Sequence, residues 1–460
     1  MRALLASAVG VACMTALAVP LTTHTFSSGT SSAAPPAAAP GSPVRGGATW
    51  TLPLAPSARS VVRAVDAPAV KPFSLLGVTW DNAAAELDGT VQVRTRSART
   101  GAWSGWQDVE AHTDDTPDAG SPEQTAPGVR GATAPLWVGP SDGVQVRVLP
   151  GSDRAGQAAR LPVGLRLDMV DPGDGPDGGG FDSHDSRAGH DDYDDGGSLY
   201  DDDELPDELP DDLTGEMTAA DQPSDEGPIE ADEPDGPAEP PVLPPVSKEE
   251  ETAQTGRGPY IGARPRIITR SGWGADEKLR ERKFVYTKTV KVVFVHHSAT
   301  GNNYSCNDAD AVIRGIYRYH VKSSHWRDIG YNFLVDKCGN IYEGRAGGVT
   351  KAVYGAHTLG FNTSSMGVAV LGNYSKDQPS EAALRAVSQL SAWKLGLFGR
   401  NPEGTATLLS GGSNKYRKGV RVKFKIISGH RDGFRTECPG DQLYGDLGKT
   451  RNSAADLQGR

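Results

Sequence analysis

The stretch Val292-Val-Phe-Val-His-His297 joins a continuous apolar run to two histidines. Such a run, bounded by polar residues, is typical of a strand buried on both faces of a sheet. The same order recurs near the C-terminus, where Ile426-Ile427 precedes Ser428-Gly-His430. Strand patterns alternate here with segments of helical spacing. We therefore predict an α/β domain, with a mixed central β-sheet flanked by helices, over residues 258–460.

Further elements of this domain follow from local patterns. A helix is expected after a cap at Asn307 or Asp308, and a long amphipathic helix after a cap at Ser380. A glycine turn, Asp336-Lys-Cys-Gly-Asn340, separates two short apolar runs and predicts a hairpin. The predicted strands are Val290–Val295, Tyr331–Val335, Ile341–Glu343, Met366–Leu371 and Phe424–Ile427.

Two strand ends and one loop carry candidate metal ligands. His296 and His430 each follow a buried strand, and Cys438 lies eight residues beyond His430 in a loop with Gly and Pro. Three protein ligands leave the fourth tetrahedral position for water, which is the arrangement of a catalytic zinc site rather than a structural one. Spacing by itself is weak support, because three distant residues can be drawn from any chain.

The number of cysteines bears on the same site. The chain has four, Cys13, Cys306, Cys338 and Cys438, of which Cys13 lies in an apolar N-terminal stretch. If that stretch is removed on export, three remain. Two can pair in an oxidising compartment, and the third needs another partner, for which a metal ion is one candidate.

The N-terminus has the pattern of an export signal. Residues 3–21 are almost all apolar or small, and a Ser, Thr, Ala and Pro-rich tail follows without a stop-transfer pattern. We assign residues 1–34 to a signal peptide and leader, and we expect a secreted protein without a stable membrane anchor after cleavage. An uncleaved anchor is the alternative.

Residues 48–170 are predicted to form a small all-β domain. Short strand patterns separated by Gly, Pro and Asp support this assignment. Trp103, Trp106 and Trp137 are either core residues or a sugar-stacking face, and core is the favoured interpretation. The predicted strands are Leu75–Trp80, Thr90–Thr95, Pro135–Val138, Gly143–Val148 and Leu161–Val170.

Charge divides the chain sharply. Residues 171–251 carry 29 acidic residues against two basic ones, so we predict a disordered acidic linker over 171–257. The overall net charge of −11 hides a net charge of +16 over 252–460. A basic exported domain suits polyanions such as anionic bacterial wall polymers, although ordinary solubility would explain the charge equally well. Nucleic acid is not an expected partner, because no recognisable binding motif is present.

Several motifs together resemble one family. They appear in order between about 260 and 445, and they are similar to the type-2 N-acetylmuramoyl-L-alanine amidases, the family that includes the peptidoglycan recognition proteins. The region 48–170 resembles, more weakly, a β-rich module that precedes such amidases in actinobacteria. The motifs are Val295-His-His-Ser-Ala-Thr300, Asp328-Ile-Gly-Tyr-Asn-Phe-Leu-Val335, Ile341-Tyr-Glu-Gly-Arg345, Gly355-Ala-His357, Ser428-Gly-His-Arg-Asp432 and Thr436-Glu-Cys-Pro-Gly440.

The resemblance implies a reaction and a set of residues that perform it. It implies Zn²⁺ as the cofactor and hydrolysis of the amide between the lactyl group of N-acetylmuramic acid and L-alanine in peptidoglycan. The implied metal ligands are His296, His430 and Cys438. Tyr331 and Thr436 are the implied catalytic residues, Thr436 standing where the phage enzyme of the family has a lysine. The resemblance also implies a disulfide between Cys306 and Cys338.

Other residues have two interpretations each. His297 points to the opposite face of its strand from His296, so packing is favoured over metal binding. Four residues have either a structural role or a role in binding the muramyl stem peptide in the family's substrate groove. They are His320, His357, Arg345 and Asn362. Glu343 and Asp432 are candidate general bases, with structural roles favoured. The whole chain could instead be a non-catalytic peptidoglycan-binding module, because many relatives of this fold bind without cutting, but these usually lack a metal ligand.

Overall fold

The computed structural model describes residues 46–56, 62–110, 115–152, 156–175, 227–233 and 239–460. The predicted signal peptide and leader, residues 1–34, lie outside these ranges, as does most of the predicted acidic linker. Within the described ranges, no helix combines the length and the apolar character that a bilayer crossing requires.

An all-β domain occupies residues 48–171. Its main strand order is β1-β9-β4-β8-β3-β2, with β5 joining β6 to β8 and β7 pairing with β4. Alternate valines of β8 point into the core, as period-2 patterning requires. The strands are β1 (Ala48–Pro53), β2 (Ala55–Pro56), β3 (Arg63–Ala67), β4 (Phe73–Trp80), β5 (Gly89–Ser97), β6 (Gln107–Val109), β7 (Gly131–Ala132), β8 (Leu136–Pro150) and β9 (Arg166–Asp171).

Two predicted strands of this domain are one. Residues 136–138 and 143–148 both belong to β8, whereas Pro135 precedes it. This strand pairs with β4 through its first part and with β3 and β5 through its second. Gly139 has φ 67° inside this strand, a left-handed conformation that glycine adopts without a Cβ penalty. The predicted strand from Leu161 begins only at Arg166.

The three tryptophans of the β domain differ in burial. Trp137 is 7% exposed and lies in the core, as predicted. For Trp103 and Trp106, at 36% and 38% exposed, the core prediction is wrong. The guanidinium of Arg94 lies over both exposed rings, and that of Arg147 lies 4.3 Å from the ring centre of Trp106. Cation–π contacts therefore hold these two rings at the surface.

The last part of the predicted linker is folded. A strand, β10 (Ile229–Ala231), pairs with residues 284–286, and a helix, α1 (Lys248–Thr255), begins at a Ser247 cap. The prediction of disorder is therefore wrong for these residues, because acidic side chains such as Glu251 find partners on the basic domain. Glu251 is 3% exposed and accepts a hydrogen bond from the indole of Trp393.

The C-terminal domain is built on a seven-stranded mixed sheet of order β11-β12-β16-β15-β17-β14-β20, which confirms the predicted fold class. β14 lies between β17 and β20, parallel to both. The strands are β11 (Val242–Leu243), β12 (Ile267–Ile268), β13 (Phe284–Tyr286), β14 (Val292–His297), β15 (Phe333–Val335), β16 (Ile341–Glu343), β17 (Ser365–Val370), β18 (Thr405–Leu409), β19 (Arg421–Lys425) and β20 (Ile427–Gly429). The helices are α2 (Ala309–Arg318), α3 (Glu381–Leu397), α4 (His430–Gly433), α5 (Asp441–Gly445) and α6 (Leu447–Gln458), with a 3₁₀ turn at Cys306–Asp308 and a π turn at Tyr319–Ser323.

Local predictions for this domain are mostly confirmed. Ser380 caps α3 through a hydrogen bond from the Ala383 N–H, and β15 and β16 form the predicted hairpin. The predicted strand Phe424–Ile427 is wrong in one respect. Phe424 belongs to β19, in a two-stranded sheet with β18, whereas Ile427 begins β20 of the central sheet.

The β domain packs directly on the C-terminal domain. Leu75 and Val170 belong to one buried apolar cluster with Ile313 and Ile316 of α2. The backbone of Gly77 approaches Tyr319 so closely that a Cβ there would lie 2.2 Å from the phenol oxygen. The interface between the β domain and the C-terminal domain is therefore a buried apolar core.

Candidate functional site

Three candidate metal ligands meet at one edge of the central sheet. His296 lies near the end of β14, His430 is the first residue of α4 after β20, and Cys438 lies in the loop that follows α4. β14 and β20 are parallel neighbours, so the residues at their carboxyl ends lie side by side. One ligand atom from each of the three lies within 4.8 Å of the others, and all three side chains are buried.

The donor set fits a zinc ion. The sulfur of Cys438 lies 3.7 Å from Nδ1 of His296. Tetrahedral zinc with bonds of ~2.0–2.3 Å separates its ligand atoms by about 3.3–3.8 Å. Burial lowers the pKa of His296 to about 4, which keeps its imidazole in the neutral form that binds metal. Two imidazoles and a buried thiol can thus hold a borderline-soft divalent ion.

A carboxylate from the β domain lies against these ligands. Oδ1 of Asp115 is 2.8 Å from Nδ1 of His296 and 3.1 Å from Nδ1 of His430. Tyr331 donates its phenol hydrogen to the other oxygen of Asp115 at 2.7 Å. Burial opposes the charged form of Asp115, but the two imidazoles outweigh it and hold the pKa of this carboxyl well below its ordinary value.

Tyr331 and His320 form one wall of the site. Burial, followed by the charge of Asp115, raises the pKa of Tyr331 well above its ordinary value, so the phenol stays protonated. His320 packs against Trp326 with ring centres 4.5 Å apart, and its Nδ1 accepts a hydrogen bond from the Gly330 N–H. Burial lowers the pKa of His320 to about 3. The imidazole is therefore a neutral acceptor that positions the residue preceding Tyr331.

His357 packs against His296 with ring centres 5.3 Å apart, and the amide oxygen of Asn362 accepts the backbone N–H of His357 at 2.7 Å. Nδ1 of His357 lies 3.0 Å from the hydroxyl of Thr358, which itself lies 3.4 Å from Nε2 of His296. The amide nitrogen of Asn362 donates to Asp118 of the β domain at 2.8 Å. This chain of contacts orients the His296 ring.

Arg345 binds a second carboxylate of the β domain. Its two terminal nitrogens donate to the two oxygens of Glu123 at 2.8 and 2.9 Å, and its Nε donates to the carbonyl of Ile329. Arg345 is 6% exposed and Glu123 is 3% exposed, so the ion pair is fully enclosed.

The remaining candidates have mainly local contacts. The hydroxyl of Thr436 accepts the Cys438 N–H at 3.1 Å and so shapes the loop that carries the thiol. Asp432 accepts the Gly429 N–H and the Tyr444 hydroxyl, which makes it a cap of α4. Burial, followed by the charge of Glu239, raises the pKa of Glu343 to about 8.

His297 and the disulfide lie beside the site. His297 accepts a hydrogen bond from the Tyr374 N–H at Nδ1, while its Nε2 lies 3.3 Å from Glu110, so it packs instead of joining the three ligands. Cys306 and Cys338 form a disulfide, the pairing that the resemblance implied. Among the described residues, Cys438 is the cysteine outside this disulfide, and its side chain is buried.

The contribution of the β domain to the site was missed from the sequence. Four of its carboxylates, from Glu110, Asp115, Asp118 and Glu123, contact the candidate site residues. A signal was present in the charge distribution. Five of the 13 acidic residues of positions 1–170 lie within residues 110–123, and the C-terminal domain is strongly basic. Only the fold, however, shows that Glu110, Asp115, Asp118 and Glu123 face the site.

Comparison with known proteins gives two matching family models. Residues 28–163 match the model described as Rv3811 N-terminal galactose-binding domain-like, and residues 286–441 match that of N-acetylmuramoyl-L-alanine amidase. The second match contains the three candidate metal ligands.

Several similar proteins and structures come from animals. The N-acetylmuramoyl-L-alanine amidase of Homo sapiens is 36% identical over 42% of this chain, which spans 29% of the human protein. Peptidoglycan-recognition protein SC2 of Drosophila melanogaster is 31% identical over 39% of this chain and 84% of its own length. A solved structure of Drosophila peptidoglycan-recognition protein LB has 27% identity, a TM-score of 0.32 and coverage of 40% of this chain and 92% of that one. The chain therefore belongs to the family of type-2 N-acetylmuramoyl-L-alanine amidases and peptidoglycan-recognition proteins.

Proposed function

We propose that this protein is a secreted, zinc-dependent N-acetylmuramoyl-L-alanine amidase that acts on bacterial peptidoglycan. The observation that carries the proposal is the meeting of His296, His430 and Cys438, with ligand atoms within 4.8 Å, beside the phenol of Tyr331. Relatives named as amidases and relatives named as recognition proteins both match this domain. A buried three-ligand set favours the enzyme over a non-catalytic binding module.

Zinc held by these three ligands would polarise the scissile carbonyl and activate a water molecule. The residues of the chain would bind the substrate and hold the metal ligands in position. In the reaction the water oxygen adds to the lactyl carbonyl carbon, and the carbon–nitrogen bond then breaks. A proton passes to the departing nitrogen, which leaves a lactyl carboxylate and a free amino group on L-alanine.

Tyr331 would bind the carbonyl oxygen of the substrate. Its phenol stays protonated and already donates to a carboxylate oxygen at this place, so it can donate equally to an oxygen that gains negative charge. Thr358 keeps the His296 ring in position. Thr436 would act mainly by holding the Cys438 loop, with a contact to water or substrate as the finer role that the resemblance implies.

The groove residues suit an anionic peptide. Arg345 and Asn362 both bind carboxylates of the β domain in this structure. The same groups could bind carboxylates of the muramyl stem peptide, and His320 and His357 would contribute to the same binding site. The net charge of +16 over residues 252–460 would assist contact with anionic wall polymers. The disulfide fits an oxidising compartment, which agrees with the proposed export.

Product analysis on purified cell wall tests the reaction. Zinc-loaded full-length protein should release stem peptides with new alanine amino ends, and Cys438→Ala should release none. New reducing sugar ends would instead indicate a glycosidase, and cleavage between amino acids of the stem would indicate a peptidase. Either result would contradict the proposal.

A further inference from the structure

We propose that residues Asp115–Glu123 of the β domain are an internal inhibitor of the amidase site, and that Asp115 is the fourth protein ligand of its metal. This inference rests on the proposed function. We refer to Asp115–Glu123 as the inhibitory segment. Its carboxylates occupy the groove that Tyr331, Asn362 and Arg345 line. The protein as folded here is therefore a latent form.

The first step concerns the metal. A single oxygen of Asp115 lies 2.8 and 3.1 Å from the Nδ1 atoms of His296 and His430, shorter by about 0.2–0.5 Å than the separation of two ligand atoms on one zinc ion. A small shift of the carboxylate would therefore place this oxygen in a ligand position. Carboxylate oxygen is an ordinary zinc ligand. With Asp115 bound, the set of protein ligands is complete and the position that water needs for catalysis is occupied.

The second step concerns Tyr331. Its hydroxyl donates to the second oxygen of Asp115 at 2.7 Å. A hydroxyl has one hydrogen to donate, so Tyr331 cannot bind the carbonyl of a substrate while this contact exists. Asp115 therefore blocks both the water position and the group that would bind the substrate oxygen.

The third step is the anchoring of the segment along the groove. Asp118 accepts hydrogen bonds from the Tyr354 hydroxyl, the Gly360 N–H and the Asn362 amide, at 2.7–2.8 Å. At the far end Glu123 binds Arg345 through two nitrogens and accepts the Arg327 N–H. Burial raises the pKa of Asp118, and the hydrogen bonds that its carboxyl accepts from Tyr354, Gly360 and Asn362 oppose this shift.

The fourth step concerns space. The cavity that touches Asp115, His320 and Tyr331 has a volume of about 40 Å³, and residues of the β domain form its other wall. Pockets that hold drug-sized ligands measure about 300–1,000 Å³. A muramyl peptide is at least that large, so it can enter only after the segment moves.

The inhibitory segment is attached to the β domain, which is itself hydrogen-bonded to the C-terminal domain. The Tyr319 hydroxyl donates to the carbonyl of Thr133, and the Trp137 N–H donates to the carbonyl of Thr300. An attached inhibitor acts at a high effective concentration, so it stays in place without strong affinity of its own. Activation would therefore require the segment to leave the groove or the β domain to undock.

Substitution of Asp115 tests the proposal directly. Asp115→Asn keeps the size of the side chain but removes the negative charge and the anionic ligand. We expect it to raise amide hydrolysis of purified wall by about tenfold to a hundredfold, since a hydrogen bond to a charged group contributes that much to an equilibrium. In the cobalt-substituted full-length protein the visible absorption bands should change, and a chelator should remove the metal faster.

Two further variants complete the design. Asp142→Asn, at an ion pair with Arg96 elsewhere in the β domain, should change none of these readouts. Asp118→Asn combined with Glu123→Gln should also raise hydrolysis, although neither residue touches the metal ligands. If Asp115→Asn leaves both the cobalt spectrum and the rate unchanged, or lowers the rate, the proposal is wrong. If the spectrum and the metal release change but no variant cleaves wall, Asp115 is confirmed as a ligand and the proposed function fails instead.

Discussion

Arg345 and Glu123 form a two-point ion pair that is closed off from water, with both nitrogen–oxygen distances below 3.0 Å. Removal of one partner from such a pair leaves a buried charge and costs about 3–5 kcal/mol. We therefore expect Glu123→Gln to lower the free energy of unfolding by up to that amount. The loss will be smaller if the inhibitory segment leaves the groove and water reaches Arg345. Urea unfolding measures the loss, and amide hydrogen exchange over residues 115–126 shows whether the segment opens.

The Arg96–Asp142 pair is the matched control. Both side chains are about one third exposed, and exposed ion pairs contribute about 0–1 kcal/mol. Asp142→Asn should therefore change stability little and leave hydrogen exchange over 115–126 unaltered. Equal losses in the two variants would show that the Arg345–Glu123 pair is not coupled to the groove.

Local patterns predicted most elements of the C-terminal domain, because each signal is short-range. The apolar run before His296 and the Ser380 cap both depend on neighbouring residues only. The boundary between β19 and β20 could not be found in this way. Phe424 and Ile427 are separated by two residues, and only their pairing partners assign them to different sheets.

The candidate site was predictable on one side only. Family motifs indicated the three candidate metal ligands and Tyr331, since those residues lie in the matched region. Asp115 comes from a domain about 180 residues earlier, and its role depends on how that domain docks on α2. Neither hydrophobic periodicity nor a motif predicts how one domain docks on another. The acidic cluster at 110–123 indicates that this part of the sequence is negatively charged, but it does not indicate where the cluster lies in the fold.

Metal content should depend on Cys438 and not on the neighbouring His297. Cys438→Ser replaces a thiolate by a poor ligand, so we expect the purified protein to lose most of its zinc. His297→Asn keeps an acceptor for the Tyr374 N–H and should retain about one zinc ion per chain. Elemental analysis after mild dialysis gives both values. Retention of zinc by Cys438→Ser would exclude the thiol as a ligand.

The disulfide should stabilise the C-terminal domain without taking part in the reaction. It joins Cys306 and Cys338 across a separation of 32 residues, which corresponds to about 3–4 kcal/mol of loop-closure free energy. The double variant Cys306→Ser, Cys338→Ser should lose about this much stability in urea unfolding. Its zinc content should not change, because Cys438 is separate from the pair. A fall in zinc content at temperatures where the variant is folded would contradict this.

Acid should destabilise the metal-free protein through its buried histidines. The pKa of His320 is lowered from 6.5 to about 3 by burial, so the unfolded chain binds a proton here that the folded chain does not. The contribution of His320 is present above pH 6.5 and is lost as the pH falls toward 3, with a slope of up to about 1.4 kcal/mol per pH unit. Urea unfolding at several pH values, after removal of metal with a chelator, measures the slope.

His320→Asn isolates this effect. The Asn oxygen can take the place of Nδ1 and accept the Gly330 N–H, while the titrating group is removed. The slope below pH 6.5 should therefore become shallower than in the wild type. His325→Asn is the comparison, because His325 is exposed and its φ of 60° is one that Asn tolerates. Burial lowers the pKa of His325 less than that of His320, so this variant should change the slope less. If both variants change the slope equally, burial of His320 is not the cause.

Docking of the β domain should fail when Gly77 gains a side chain. A Cβ at this position would lie 2.2 Å from the hydroxyl oxygen of Tyr319 and 2.4 Å from its ring carbon Cζ, and Tyr319 is buried. Overpacking of this kind costs about 1–3 kcal/mol. We expect Gly77→Ala to speed hydrogen exchange over residues 115–126 and to raise amide hydrolysis, because the inhibitory segment leaves with its domain. Gly105→Ala, where nothing lies within 4 Å of the new Cβ, should do neither. Faster exchange without any gain in hydrolysis would contradict inhibition by the segment.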